Sequence, residues 1–81
     1  MIDIKIGPMT FVYLQEIVCI VEISDLVDTN LLAVARKEHR IISLIGRPHR
    51  TLVILSNGKI ILTPTAADTI FRRIQESTLY Q

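Results

Sequence analysis

A single cysteine, Cys19, stands in 81 residues, so no disulfide can close within the chain and a stapled secreted scaffold is excluded. Long apolar runs are missing as well. The longest, Ile17 to Val21 and Leu31 to Ala35, fall far below the roughly 20 residues that a membrane-spanning helix needs. Met1 to Ile6 alternates apolar with charged residues and has neither the basic start nor the continuous apolar stretch of a signal peptide. A soluble chain in the reducing cytoplasm is the expectation. No glycine-rich phosphate loop, nucleophile elbow or pair of carboxylates on one short element occurs, which argues against an enzyme. His39 and His49 have no cysteine or carboxylate at ligand spacing, so neither a metal nor another cofactor is expected. Linkers, internal repeats and low-complexity segments are absent too, and residues 1–81 read as a single domain.

What is present is apolar. Hydrophobic residues make up 49% of the chain and mean hydropathy is +0.42, yet a domain this small buries only roughly 60% of the surface its unfolded chain exposes. Without disulfides, self-association is the natural home for the surplus, and a homo-oligomer is expected. Net charge is +1 and unevenly spread. Residues 1–30 carry one lysine against five carboxylates, and residues 31–81 carry eight lysines and arginines against three. Such asymmetry predicts either a basic binding face or charge pairing between neighbouring subunits.

Ile2, Ile4 and Ile6 alternate with Asp3 and Lys5, the period of a half-buried strand, before Gly7-Pro8 turns the chain into a first hairpin with Met9 to Leu14. Ile17 to Ile23 is apolar on both faces except at Glu22, which predicts a central strand and makes Cys19 an inert core thiol. Asp28, Thr29 and Asn30 are capping residues, so a helix is expected from about Thr29 to His39. Leu31, Val34 and Ala35 would form its core stripe, with Ala33, Arg36, Lys37 and Arg40 on another side. Ile41 to Ile45 returns to strand character, and Gly46 to Arg50 reads as an exposed loop. Asn57-Gly58 between two β-rich runs predicts a hairpin with a type I′ turn. Thr65 to Asp68 has capping-box spacing, and Ala67, Ile70, Phe71 and Ile74 repeat at helical period. The fold class is therefore α+β: a mainly antiparallel sheet, a helix inserted after the third strand and an amphipathic helix at the C-terminal end.

Arg36, Lys37, Arg40, Arg47 and Arg50, with His39 and His49, are the densest chemistry in the chain. If the helix and the loop lie side by side, these groups form a phosphate-binding face for double-stranded DNA. Otherwise they are a solvated surface, or pair with carboxylates of a neighbour. Arg72 and Arg73 lie near Asp68 and Glu76 on one helix, so pairing within the helix is their expected use. Phe71, Ile74, Leu79 and Tyr80 are the expected contacts between subunits.

The stretch from Ile17 to Arg73 resembles the bacterial RemA/RemB-like extracellular matrix regulatory proteins. The residues that carry the likeness are Ile17-Val18-Cys19-Ile20-Val21, Arg36-Lys37-Glu38-His39-Arg40 and Gly46-Arg47-Pro48-His49-Arg50. The hairpin from Thr51 to Thr63, the helix through Thr69 to Arg73 and the opening Ile4-Lys5-Ile6-Gly7 extend it. The resemblance implies a DNA-binding transcriptional regulator that assembles into ring-like homo-oligomers and activates biofilm-matrix and osmoprotection genes. Arg47 and Arg50 match the basic loop positions of that family. Two positions depart from it: Pro48 and Glu16 stand where the RemA branch has arginines.

Overall fold

The computed structural model describes residues 2–23 and 29–79. Strands β1 (Asp3–Gly7) and β2 (Thr10–Tyr13) form a two-stranded hairpin, and a 3-10 turn at Leu14–Glu16 leads into β3 (Ile17–Glu22). Helix α1 (Thr29–Lys37) follows, then β4 (Ile41–Ser43), β5 (Thr51–Leu55), β6 (Ile60–Thr63) and helix α2 (Ala67–Leu79). The second sheet has four strands in the order β3-β5-β6-β4. Its β3–β5 and β5–β6 pairs are antiparallel, whereas β4 and β6 run parallel. The fold is the expected α+β class with mainly antiparallel pairing.

The four-stranded sheet is the middle of three layers. On one face Leu52, Ile60 and Leu62 meet Ala35 and Leu32 of α1. On the other, Val53 and Ile61 meet Ile4 and Ile6 of β1 and Ile70 of α2. Covering both faces explains why β5 and β6 show no polar alternation: a strand buried on two sides must be apolar on two sides. No helix among the described residues is long and apolar enough to cross a membrane.

Several local features differ from the sequence expectation, each for a physical reason. β3 lies at an edge of the sheet rather than at its centre, and Cys19 is exposed rather than buried. Apolar faces on a strand report what packs above and below it, not how many neighbours it has in the sheet plane. In α1, Leu32 and Ala35 make the buried stripe while Val34 is exposed. The Asn57-Gly58 hairpin is present but its turn is not type I′, because among its residues only Gly58 has positive φ (+86°). Gly58 N–H donates to Leu55 O at 2.9 Å and Leu55 N–H to Lys59 O at 2.9 Å. That is a type I turn closed by a left-handed glycine at a bulge, the three-residue alternative for the same composition.

Helix α1 ends earlier than expected, at Lys37. Arg40 N–H donates to Ala35 O at 2.9 Å and His39 N–H to Arg36 O at 3.0 Å. This is the Schellman pattern, with His39 at φ +58° in the left-handed position that glycine usually fills. A side chain there costs about 1–2 kcal/mol, so His39→Gly is expected to raise stability by roughly 0.5–1 kcal/mol once glycine's greater unfolded freedom is subtracted. The thermal midpoint should rise by a few degrees, and an unchanged or lower midpoint would show that the His39 ring makes compensating contacts.

Candidate nucleic-acid interface

The loop between β4 and β5 is held at both ends by consecutive residues of β6. Leu44 N–H donates to Leu62 O at 2.9 Å and Arg50 N–H to Thr63 O at 2.8 Å. Gly46 adopts φ +115°, and a Cβ there would fall 2.9 Å from Pro64 Cγ, so the loop can lie against Pro64 only because position 46 has no side chain. His49 Nε2 lies 2.9 Å from Leu44 O. A carbonyl can only accept, so that nitrogen carries the proton and pins the loop across its own base. His49 therefore orients the loop with one ring nitrogen. Arg47 and Pro48 are left exposed at the tip, joined by a cis peptide bond, with Arg50 exposed at the far side.

Beneath the loop, Thr51 and Thr63 are fully buried partners on adjacent strands. Thr63 Oγ1 donates to Ile6 O at 2.8 Å and accepts from Thr65 N–H at 3.2 Å, and Thr51 Oγ1 donates to Thr65 O at 2.7 Å. Gly7 lies hard against the same junction, where an added Cβ would sit 2.5 Å from Leu44 Cδ1 and 2.7 Å from Thr63 Oγ1. The loop thus stands on a base of β1, β5, β6 and the entry to α2.

Arg47 and Arg50 differ in their surroundings. Arg50 lines a cavity of about 180 Å³ with Glu22, Ile23, His49, Ala66, Ala67 and Asp68. Two carboxylates near it oppose its charge for any anion approaching from solvent. Among the described residues neither Arg47 at the tip nor Arg50 forms an ion pair.

The other basic residues lie elsewhere. Arg40 Nη1 donates to Gly58 O at 3.2 Å, at the opposite end of the β5–β6 hairpin. Its buried Nε is 3.2 Å from Glu38 Oε2, near enough for charge attraction but not aligned as a hydrogen bond. Arg40 is committed to this internal clamp, which leaves Arg36, Lys37 and Lys59 as the exposed cations of that end among the described residues. Arg50 and the Ser56 turn are separated by the length of β5, about 20 Å at roughly 3.3 Å per residue. The structure therefore splits the basic residues into two groups at opposite ends of the sheet within one chain. Nothing in their sequence spacing foretold it, because the split follows from α1 and β4 both crossing from one end to the other.

On α2, Ile70 is fully buried and Ile74 packs against the same core. Phe71 is 58% exposed and free to meet another surface. Leu79 ends the helix, and Tyr80 lies outside the described residues. Arg73 Nη1 donates to Lys5 O at 2.9 Å, tying α2 to β1. Among the described residues no ion pair joins Arg72 or Arg73 to Asp68 or Glu76. The expected pairing within the helix gives way to this tie across elements.

Among curated proteins no match was found. A family model described as RemA-like, extracellular matrix regulatory protein A-like, matches residues 4–74. That span takes in β1, both basic groups, the loop with its base and most of α2, and the chain belongs to the RemA-like family of extracellular matrix regulatory proteins.

Proposed function

We propose that this protein is a DNA-binding transcriptional regulator that works as a ring-like homo-oligomer, each subunit offering its β4–β5 loop to the DNA backbone. The observation that carries the reading is Arg47, which among the described residues has no carboxylate partner, at the tip of a loop fixed at both ends to β6. A preset guanidinium can take a phosphate with little loop ordering on binding. One or two contacts per subunit are weak, but copies held in one assembly bind together through high effective concentration. Membership of a family of extracellular matrix regulators agrees with this role.

The test is a titration of mixed-sequence duplex against the protein across a range of salt. Each phosphate neutralised contributes about −0.9 to the slope of log K against log salt. Arg47→Ala is expected to weaken binding and flatten that slope, and a slope equal to that of the parent would remove Arg47 from the interface. A second reading is a self-assembling module that binds no nucleic acid, and the carboxylates of Glu22 and Asp68 around the Arg50 cavity favour it. It prevails if duplex never shifts at low salt while raised salt dissolves the assembly.

A further inference from the structure

Among the described residues no strand pairs with the outer side of either edge of the four-stranded sheet. β3 reads Ile17-Val18-Cys19-Ile20-Val21 with no charge or proline before Glu22. Val18 is 65% exposed there. At the other edge β4 reads Ile41-Ile42-Ser43 and runs on into Leu44 and Ile45, the last 89% exposed. An edge strand leaves alternate N–H and C=O groups unpaired, and proteins that remain monomeric blunt such edges with very short strands, lysine, proline or bulges. β4 is short, with three residues, but carries neither lysine nor proline. β3 carries one irregularity, between Ile17 and Cys19, which leaves its second half regular.

The two edges also match in direction and in charge. β3 runs against β5, β5 against β6, and β6 with β4, so β3 and β4 point the same way. Reading the registers across the sheet, Cys19 stands in one row with Ile54, Ile60 and Ile41, and Val21 in one row with Leu52, Leu62 and Ser43. If copies are set side by side without stagger, Cys19 meets Ile41, and Ile17, next to Glu16, falls one row earlier, level with Arg40 just before β4. Arg36, Lys37 and Arg40 precede that strand in sequence. Glu16 of one chain is thus brought toward the cationic segment that precedes β4 in the next.

We infer that β3 of one copy pairs in parallel with β4 of the next, continuing the sheet from subunit to subunit. The inference rests on the reading of the chain as a homo-oligomer and names its joint. Because the two surfaces differ, the contact is head-to-tail, and a ring follows wherever the rotation per copy closes. In such an assembly β3 becomes an interior strand with a neighbour on each side.

Cys19 makes the joint measurable. Neighbouring strands lie about 4.7–4.9 Å apart, within the Cα separation that a disulfide spans. Ile41→Cys, Ile42→Cys and Ser43→Cys are made singly in the full chain, checked for folding by circular dichroism and oxidised with copper phenanthroline. The expected result is a ladder of covalent dimers and higher species from at least one of the three, lost when Cys19→Ser is added. Lys5→Cys, on the separate β1–β2 sheet, should give none. No ladder from any folded variant, in a protein that light scattering finds oligomeric, overturns the joint and leaves self-association standing. A ladder of equal strength from Lys5→Cys overturns it too, as random collision. A monomer by light scattering overturns both the joint and the oligomer on which it rests. Binding to duplex DNA is measured separately, and failure of the joint in an oligomeric protein leaves that reading standing.

Discussion

Ile70→Ala is expected to lower the stability of the domain by about 2–5 kcal/mol, read as a fall in the urea midpoint with little change in slope. Ile70 is fully buried where α2 meets Ile4 and Ile6 of β1 and Val53 and Ile61 of the central strands. Truncation there opens a cavity in the one place where both sheets and α2 share a core. A domain of this length holds on the order of 4–12 kcal/mol in all, so the loss is a large fraction of the total. Phe71→Ala, one residue along, is the control. At 58% exposure it should cost less than about 1 kcal/mol in the unassembled chain and act instead on the assembled fraction. Equal midpoints for Ile70→Ala and the parent would mean that α2 does not pack as described.

The largest functional effect is expected from Arg47→Ala and Arg50→Ala together. A protein with six to ten phosphate contacts loses about 10³–10⁵ in affinity between 50 and 200 mM salt. An assembly reaches such a count when a few subunits each supply these two cations. Removing both from every copy should abolish most of that salt dependence and reduce low-salt affinity by orders of magnitude. Arg36→Ala with Lys37→Ala removes the same charge from the opposite end of the sheet, about 20 Å away by strand rise. That variant should bind nearly as the parent does when compared at the same assembled fraction by light scattering. If instead it costs as much as the loop pair, the DNA surface is not the loop but a wider field of positive charge.

How much of this was legible in the sequence depends on the range of the interaction concerned. Local signals held: the alternation of Ile2, Ile4 and Ile6, the hairpin at Asn57-Gly58 and the helical period around Ile70 are each set by neighbours a few residues away. The loop was legible as a loop because Gly46 and Pro48 oppose regular structure, and Gly46 does take a backbone angle foreign to other residues. What sequence spacing could not carry is where elements meet. Arg40 and Arg47 are close in the chain, yet β4 lies between them and carries them to opposite ends of the sheet. His39 in a left-handed cap gave no signal, since glycine is the residue that announces one. The edge position of β3 was hidden for a related reason. Its apolar composition reports what packs above and below it, and in the sheet plane it has β5 on one side alone among the described strands.

The hydroxyls of Thr51 and Thr63 have a consequence in time. They join Ile6, near the beginning of the chain, to Thr65, at the entry to the last helix. During synthesis the platform under the arginines therefore cannot be completed until the chain as far as Thr65 has emerged and docked on β1. A half-made chain on the ribosome, surrounded by polyanionic RNA, does not yet present the tip in its working pose.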